Sequence, residues 1–385
     1  MKIKGNVVLP DRVLYGATVA YEDGVITDIC EGKTECVDAA LPYVLPGLVD
    51  IHNHGAMGHD YMEATEQAFD VISEYLVQHG ITTSQCTTAS APLDDIFKVL
   101  DFFRAYKGNP YGCRFSGVHL EGPFIAPQSR GAHPLDVLKT PAQGYQWVLD
   151  NQDIVGELTV APDLPEMPEM IRALVSAGIA VSGGHDACEP EDVIRGISAG
   201  MSHSTHIYCA MSTLHKTGGH RRSGLCEYIV THDNITTEMI ADEHHVPPQL
   251  AQMIYKCKGP DKLCLVSDGI APSGLPESDE IYCLGTGEGC TKVRVEGGVA
   301  LVEDRSCYAG SIQSLDRMIS NVVRNSNIPF VDAVRMASLT PAQVIGIDKE
   351  CGSIQVGKRA DFCVMDSNFA VLQTIIAGNV VYDRG

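Results

Sequence analysis

From residue 46 to about residue 345 the chain alternates short apolar runs with longer amphipathic segments, and this restricts the fold more than any other feature of the sequence. The apolar runs fall at 47–51, 82–86, 116–120, 157–161, 180–183, 201–205, 236–241 and 263–267. Between them, apolar residues recur at helical spacing over 66–79, 93–106, 167–177, 191–199 and 249–257. Neighbouring parallel strands need a crossover connection, so repeated strand–helix alternation predicts a parallel sheet covered by helices. At this length a TIM-like (β/α)8 barrel is expected, with an open doubly wound sheet as the alternative. No Gly-rich dinucleotide loop follows the first run, which weighs against the open sheet.

The two ends read differently. Residues 1–45 carry short alternating runs separated by turn signals at Asp23-Gly24 and Gly32-Lys33. Residues 346–385 return to short strands around Gly357-Lys358-Arg359-Ala360. Both ends are therefore expected to pair into one small β-sandwich domain beside a barrel spanning 46–345.

A formal net charge of -21 over 385 residues makes nucleic acid and anionic membranes poor partners, since both want basic faces. It leaves room for a small anionic substrate, which needs only local positive groups. The 14 cysteines include no C-x-x-C pair. The opening Met1–Gly5 lacks the charged-then-apolar run of a signal peptide, and no apolar stretch reaches membrane-spanning length. The expectation is a cytoplasmic protein whose thiols are reduced and mostly buried.

Chemistry gathers where the apolar runs end. In Val118-His119-Leu120-Glu121-Gly122-Pro123 a buried strand stops on a carboxylate, because Gly and Pro open a turn. A carboxylate there is costly unless something positive faces it: the turn's own N–H groups, or a metal. Asp50-Ile51-His52-Asn53-His54 puts His52 and His54 two apart, hence on one face of a strand end, where both can reach one ion. His185 follows the run ending Gly183-Gly184, His206 closes Ser202-His203-Ser204-Thr205-His206, and Asp268 follows Leu265-Val266-Ser267. Each alone reads equally as a satisfied histidine or a capping aspartate. A carboxylate, histidines on three strand ends and an aspartate at the C-terminal lip of one barrel together form a metal-site pattern. His133 and His245 occupy loops nearby, and Arg221 and Arg222 lie in a Gly/His/Lys-rich loop that could hold an anion.

At these residues the sequence resembles the N-acetylglucosamine-6-phosphate deacetylase family of the amidohydrolase superfamily. The likeness runs through Pro46-Gly47-Leu48-Val49-Asp50-Ile51-His52, His119-Leu120-Glu121-Gly122-Pro123-Phe124, Gly184-His185, Thr205-His206-Ile207-Tyr208-Cys209-Ala210-Met211 and Val266-Ser267-Asp268. It implies a cytoplasmic homodimer that removes the acetyl group from an amino sugar phosphate. Glu121, His185 and His206 would hold the principal divalent metal, and His52 with His54 a second, Glu121 bridging. Zn²⁺ suits such ligands, and Fe²⁺, Mn²⁺ or Co²⁺ would also fit. Asp268 matches the catalytic acid/base. His133, His245, Cys209 and Ala210 match substrate contacts, and Arg221 or Arg222 a phosphate-binding arginine supplied across a dimer interface. Three places depart from the family pattern, one being Gly269-Ile270 after Asp268 in place of the usual Ala-Met type. Cys209 stands where the family usually has a phosphate-contacting Asn, and Arg221-Arg222-Ser223-Gly224 replaces Arg-Glu-Pro-Gly. These departures keep a galacto-configured or unphosphorylated acetamido sugar, or another amide, as an alternative substrate.

Two rival readings remain at this stage. One is a cyclic amidase or deaminase of the same superfamily; cyclic amidases there generally bridge two metals with a carboxylated lysine, whereas here Glu121 takes that slot and no Lys ends a nearby strand. A barrel that binds without catalysis would be expected to have lost ligands, and here all are present.

Overall fold

In the computed structural model, residues 1–32, 40–287 and 289–385 are described, and eight parallel strands among them form a barrel. Leu48–Asp50, Ile81–Thr88, Arg114–Glu121, Val155–Val160, Ala180–Gly183 and His203–Ser204 pair in that order, and Thr237–Met239 pairs with Leu263–Leu265. Ser204 N–H donates to Thr236 O (3.0 Å), carrying the sheet onward. At the other seam Asp268 N–H donates to His52 O (2.9 Å) and His54 N–H to Gly269 O (2.7 Å), joining the last strand to the first. The expected barrel is thus the fold, and the open-sheet alternative falls away.

The helices outside it follow the apolar spacing. In Glu66–Gln78 the Thr65 hydroxyl accepts the Ala68 N–H, and Phe69, Ile72 and Leu76 form the buried stripe. Gly80, at φ +79°, then turns the chain into Ile81–Thr88, and a side chain there would strike Cys363 Sγ. The strand interiors are unusually polar. Thr83, Ser84, Gln85, Thr87, His119, Glu157, Thr159, Ser182, His203 and Glu238 are all nearly or fully buried.

Both ends meet in one seven-stranded sheet beside the barrel. Its order is Asn379–Asp383, Val371–Ile376, Phe362–Met365, Tyr43–Pro46, Lys2–Val8, Val13–Glu22 and Val25–Cys30. Val7, Val19, Tyr21, Val44, Phe362 and Ile375 give it a core of its own. The turn signal at Gly32-Lys33 lies partly outside the described residues.

Two small antiparallel elements have no counterpart in the sequence reading. Residues 215–222 form the hairpin His215–Thr217/His220–Arg222, and Tyr282–Leu284, Thr291–Glu296 and Val299–Val302 form a three-stranded sheet. Each turns on a Gly-Gly pair at positive φ, Gly218-Gly219 and Gly297-Gly298, the chemistry a tight hairpin wants. The second element also corrects the thiol expectation. Its fold brings the Cα atoms of Cys283 and Cys290 to 5.6 Å, and the two are disulfide-bonded rather than free. No helix among the described residues is long and apolar enough to cross a membrane.

Candidate metal centre and active site

Glu121 ends its strand with both carboxylate oxygens turned into a ring of imidazoles. Oε1 lies 2.9 Å from His206 Nε2 and 3.0 Å from His185 Nε2, while Oε2 lies 3.2 Å from His54 Nε2 and 3.2 Å from His133 Nε2. His52 Nε2 stands 3.3 Å from His54 Nε2, so the pair shares a face as its spacing predicted. Asp268 closes the ring from the last strand, with Oδ1 3.3 Å from His54 Nε2 and 3.4 Å from His52 Nε2. All seven side chains are buried.

Hydrogen bonds on the far side of each ring decide what the near side presents. His185 Nδ1 lies 2.9 Å from the Ser129 carbonyl, which can only accept, so the hydrogen is on Nδ1. His52 Nδ1 donates in the same way to Glu238 Oε2 at 2.8 Å. With Nδ1 engaged in this way, His185 and His52 both turn Nε2 toward Glu121, Asp268 and their neighbours. Burial pulls the His52 pKa down, but Glu238, Asp268 and Glu121 outweigh it and raise it well above the usual histidine range. A cation taking its Nε2 therefore displaces a proton. His185 and His206 Nε2 atoms are 3.1 Å apart. Two ring nitrogens so close, both within 3.0 Å of one carboxylate oxygen, form a cluster in which a cation, a proton or a metal ion, is called for. The groups Glu121–His185–His206 and His52–His54–Glu121 both have the spacing to hold one. The residues present therefore fit a divalent metal.

His133 is the exception. Its Nδ1 accepts the Ser90 N–H at 3.1 Å, leaving Nε2 as a donor toward Glu121. Burial pulls its pKa down, keeping it a neutral hydrogen-bond donor.

The ionisation pattern follows from the same crowding. Burial pushes Glu121 up, but His52 and His133 outweigh it and hold the carboxyl well below the usual range. Asp268 is likewise pushed up by burial and pulled lower still by His52 and His54, so it stays ionised. His54 is pulled down by burial, yet Asp268 and Glu121 carry it up to about 9.

The backbone at the lip is strained. His185, His206, Tyr208, Ala210 and Asp268 all have positive φ, between 25° and 69°. Each such non-Gly residue costs about 1–3 kcal/mol, and such strain concentrates at working sites.

A cavity of about 700 Å³ opens over this ring. It is lined by Glu121, His54, His133, His185, His206 and Asp268, by Tyr208, Cys209 and Ala210, and by His245. His245 Nδ1 donates to Asp242 Oδ2 at 2.7 Å, which frees Nε2 for a substrate. Arg221 and Arg222 do not line the cavity of this chain. They lie on the outer hairpin, where Arg222 is paired with Glu189 and Glu191 and Arg221 is exposed. The hairpin holds them away because its strands pair with each other and not with the barrel.

Sequence reasoning missed Glu238, which orients His52 and also accepts the His206 N–H at 3.0 Å. A charged residue amid the apolar run at 236–241 was the available signal. It also missed Arg305 and Tyr308, which reach the cavity from the loop after the three-stranded insert; no local pattern marks them.

Comparison with known proteins places this geometry. The amidohydrolase family matches residues 43–381. The chain is 31% identical over 388 residues to an N-acetylglucosamine-6-phosphate deacetylase of Bacillus subtilis, covering 98% of this chain and 95% of that one. It is 30% identical to an N-acetylgalactosamine-6-phosphate deacetylase of Escherichia coli O157:H7, covering 93% of each. The crystal structure of an N-acetylglucosamine-6-phosphate deacetylase from Thermotoga maritima superposes with a TM-score of 0.88 at 29% identity, covering 100% of both chains.

Proposed function

The chain belongs to the N-acetylglucosamine-6-phosphate deacetylase family of amidohydrolases, and on that premise we propose that it hydrolyses the acetamide of N-acetylglucosamine-6-phosphate to glucosamine-6-phosphate and acetate. The observation that carries this is Glu121, set between His185–His206 on one oxygen and His54 on the other, with Asp268 across the same cavity. Glu121, His185 and His206 hold the principal metal, and His52 and His54 a second. Zn²⁺ is the proposed ion, while Fe²⁺, Mn²⁺ and Co²⁺ suit the same nitrogen and oxygen donors. When bound, a divalent ion polarises the scissile carbonyl and lowers the pKa of water from ~16 to ~7.

The chain's own residues manage the protons. Asp268, ionised at neutral pH, takes a proton from the attacking water and passes it to the departing amine nitrogen. Without that second transfer the amine would be the poorer leaving group and acetamide would re-form. The Nε2–H of neutral His133 donates to the carbonyl oxygen as negative charge develops there. His245, held by Asp242, contacts the sugar, as do the neighbouring Cys209 and Ala210.

A partner subunit in a homodimer supplies Arg221 for the phosphate; Arg222, already held by two glutamates, is the weaker choice. One observation favours a second substrate. Cys209 lines the cavity, and a thiol is a poor hydrogen-bond donor to phosphate. A galacto-configured or unphosphorylated acetamido sugar is therefore the competing substrate. Acetate release from N-acetylglucosamine-6-phosphate, N-acetylgalactosamine-6-phosphate and their dephosphorylated forms, with elemental analysis of the same sample, separates these. No turnover of any of the four by metal-replete protein would refute the reading. The cytoplasm, where sugar phosphates are held, is the proposed compartment.

A further inference from the structure

Below the lip, the barrel interior holds ionisable side chains that this chemistry does not use. Glu157 stands on Val155–Val160, His203 on His203–Ser204 and Glu238 on Thr237–Met239, each at most 1% exposed. Their candidate ligand atoms lie within 4.8 Å of one another. Glu157 Oε1 and Oε2, His203 Nε2 and Glu238 Oε1 have no hydrogen-bond partner, although all are buried. Buried polar atoms are rarely left so, and one from each of three side chains facing a common point is rarer still.

The geometry at His203 sharpens this. Its Nδ1 is engaged by the Thr236 hydroxyl at 2.7 Å. Its Nε2 faces Glu238 Oε1 at 3.6 Å and Glu157 Oε1 at 3.8 Å, beyond hydrogen-bonding distance of either. Acceptors facing acceptors in a dry interior repel unless something positive lies between them. A proton on Nε2 would draw the carboxylates in to ~2.7–2.9 Å. Glu238 shows that contraction at its other oxygen, where Oε2 meets His52 Nδ1 at 2.8 Å. Ligand atoms around a tetrahedral ion with ~2.1 Å bonds stand ~3.4 Å apart, much nearer the separations found here.

We propose that Glu157, His203 and Glu238 hold a divalent cation inside the barrel, separate from the ions at the lip. Two carboxylates and one imidazole suit Zn²⁺, Mn²⁺ or Fe²⁺. Glu238 then joins the two levels: one oxygen binds the interior ion while the other holds the Nδ1–H of His52.

The test is diffraction from crystals of Zn²⁺-loaded full-length protein, with anomalous difference maps at the zinc edge. A peak bonded to Glu157, His203 and Glu238, beside any at the lip, is expected. Glu157→Gln and His203→Gln should each lower bound zinc by one ion per chain and remove that peak alone. No peak in the wild type, or unchanged zinc content in both folded variants, overturns the proposal and leaves the three groups sharing protons. If neither variant folds, the wild-type map still decides. The interior peak does not depend on the sugar panel, so an inactive panel would count against the deacetylase reading and not against this site.

Discussion

Asp268 sits where one carboxylate must serve as base and then as acid, and its environment keeps it ionised without moving it out of reach of the proton it has to return. Asp268→Asn is expected to lower kcat by about 10²–10⁴-fold with bound metal unchanged. Near-normal turnover in metal-replete variant protein would remove Asp268 from the reaction. His54 makes a different statement. Its pKa of about 9 means that, below that pH, an ion taking its ring must displace a proton. Because the His52 pKa is raised as well, apparent metal affinity at the His52–His54 site should rise at least about tenfold per pH unit from neutrality toward that value. Titrating metal-free protein with Zn²⁺ across this range checks it, and a flat affinity would contradict it. The same shift stabilises the metal-free fold below the ordinary histidine value of ~6.5, and that stability is lost as pH rises through about 9. Most of the lip was readable at this scale because each residue closes an apolar run. Glu238 was not, because what it does depends on which ring lies 2.8 Å away on another strand.

The barrel strands set the depth at which the site residues sit. In Arg114–Glu121 the buried Leu120 alternates with the inward His119 and Glu121 and packs on the opposite face in the hydrophobic core, so the strand's position is held by its apolar face. Leu120→Ala should cost about 2–5 kcal/mol of stability, read from thermal or urea unfolding. A melting curve that overlays the wild type would mean that the site is held by its hydrogen bonds and ligands instead. Strand and helix positions were legible because periodicity is a local property: every barrel strand overlaps an apolar run of the sequence. The hairpins were not, although both Gly-Gly turns are visible on inspection. The strands of the His215–Arg222 hairpin are short and half exposed, with no apolar alternation, whereas Thr291–Glu296 does alternate, Val293 and Val295 against Lys292, Arg294 and Glu296, and offered a signal that was missed.

At the scale of the molecule, the terminal sheet packs Leu45, Cys363, Met365, Val371 and Ile376 into the barrel's hydrophobic core, and a charged pair adds to this. Arg114, at the start of the Glu121 strand, places Nη2 2.7 Å from both carboxylate oxygens of Asp361. The Asp361 side chain is only 2% exposed, so losing its partner leaves a buried charge. Arg114→Met should therefore cost about 1–3 kcal/mol, seen as a lower melting temperature with metal content unchanged, while Arg359 keeps part of the compensation. An unaltered melting temperature would mean that the sheet is held by its apolar packing and not by this ion pair. By itself the sequence determined the barrel, the pairing of both ends into β structure, and the residues at the strand ends, because hydrophobic period and turn chemistry act between near neighbours. Only the tertiary structure decided how these residues face one another. It placed Glu121 between two sets of imidazoles, put Glu238 behind His52, left Arg221 and Arg222 outside this chain's cavity, and buried Glu157 against His203. Those outcomes depend on barrel closure and strand register, which bring residues 50 to 200 positions apart within a few ångströms, and no local pattern encodes such a distance.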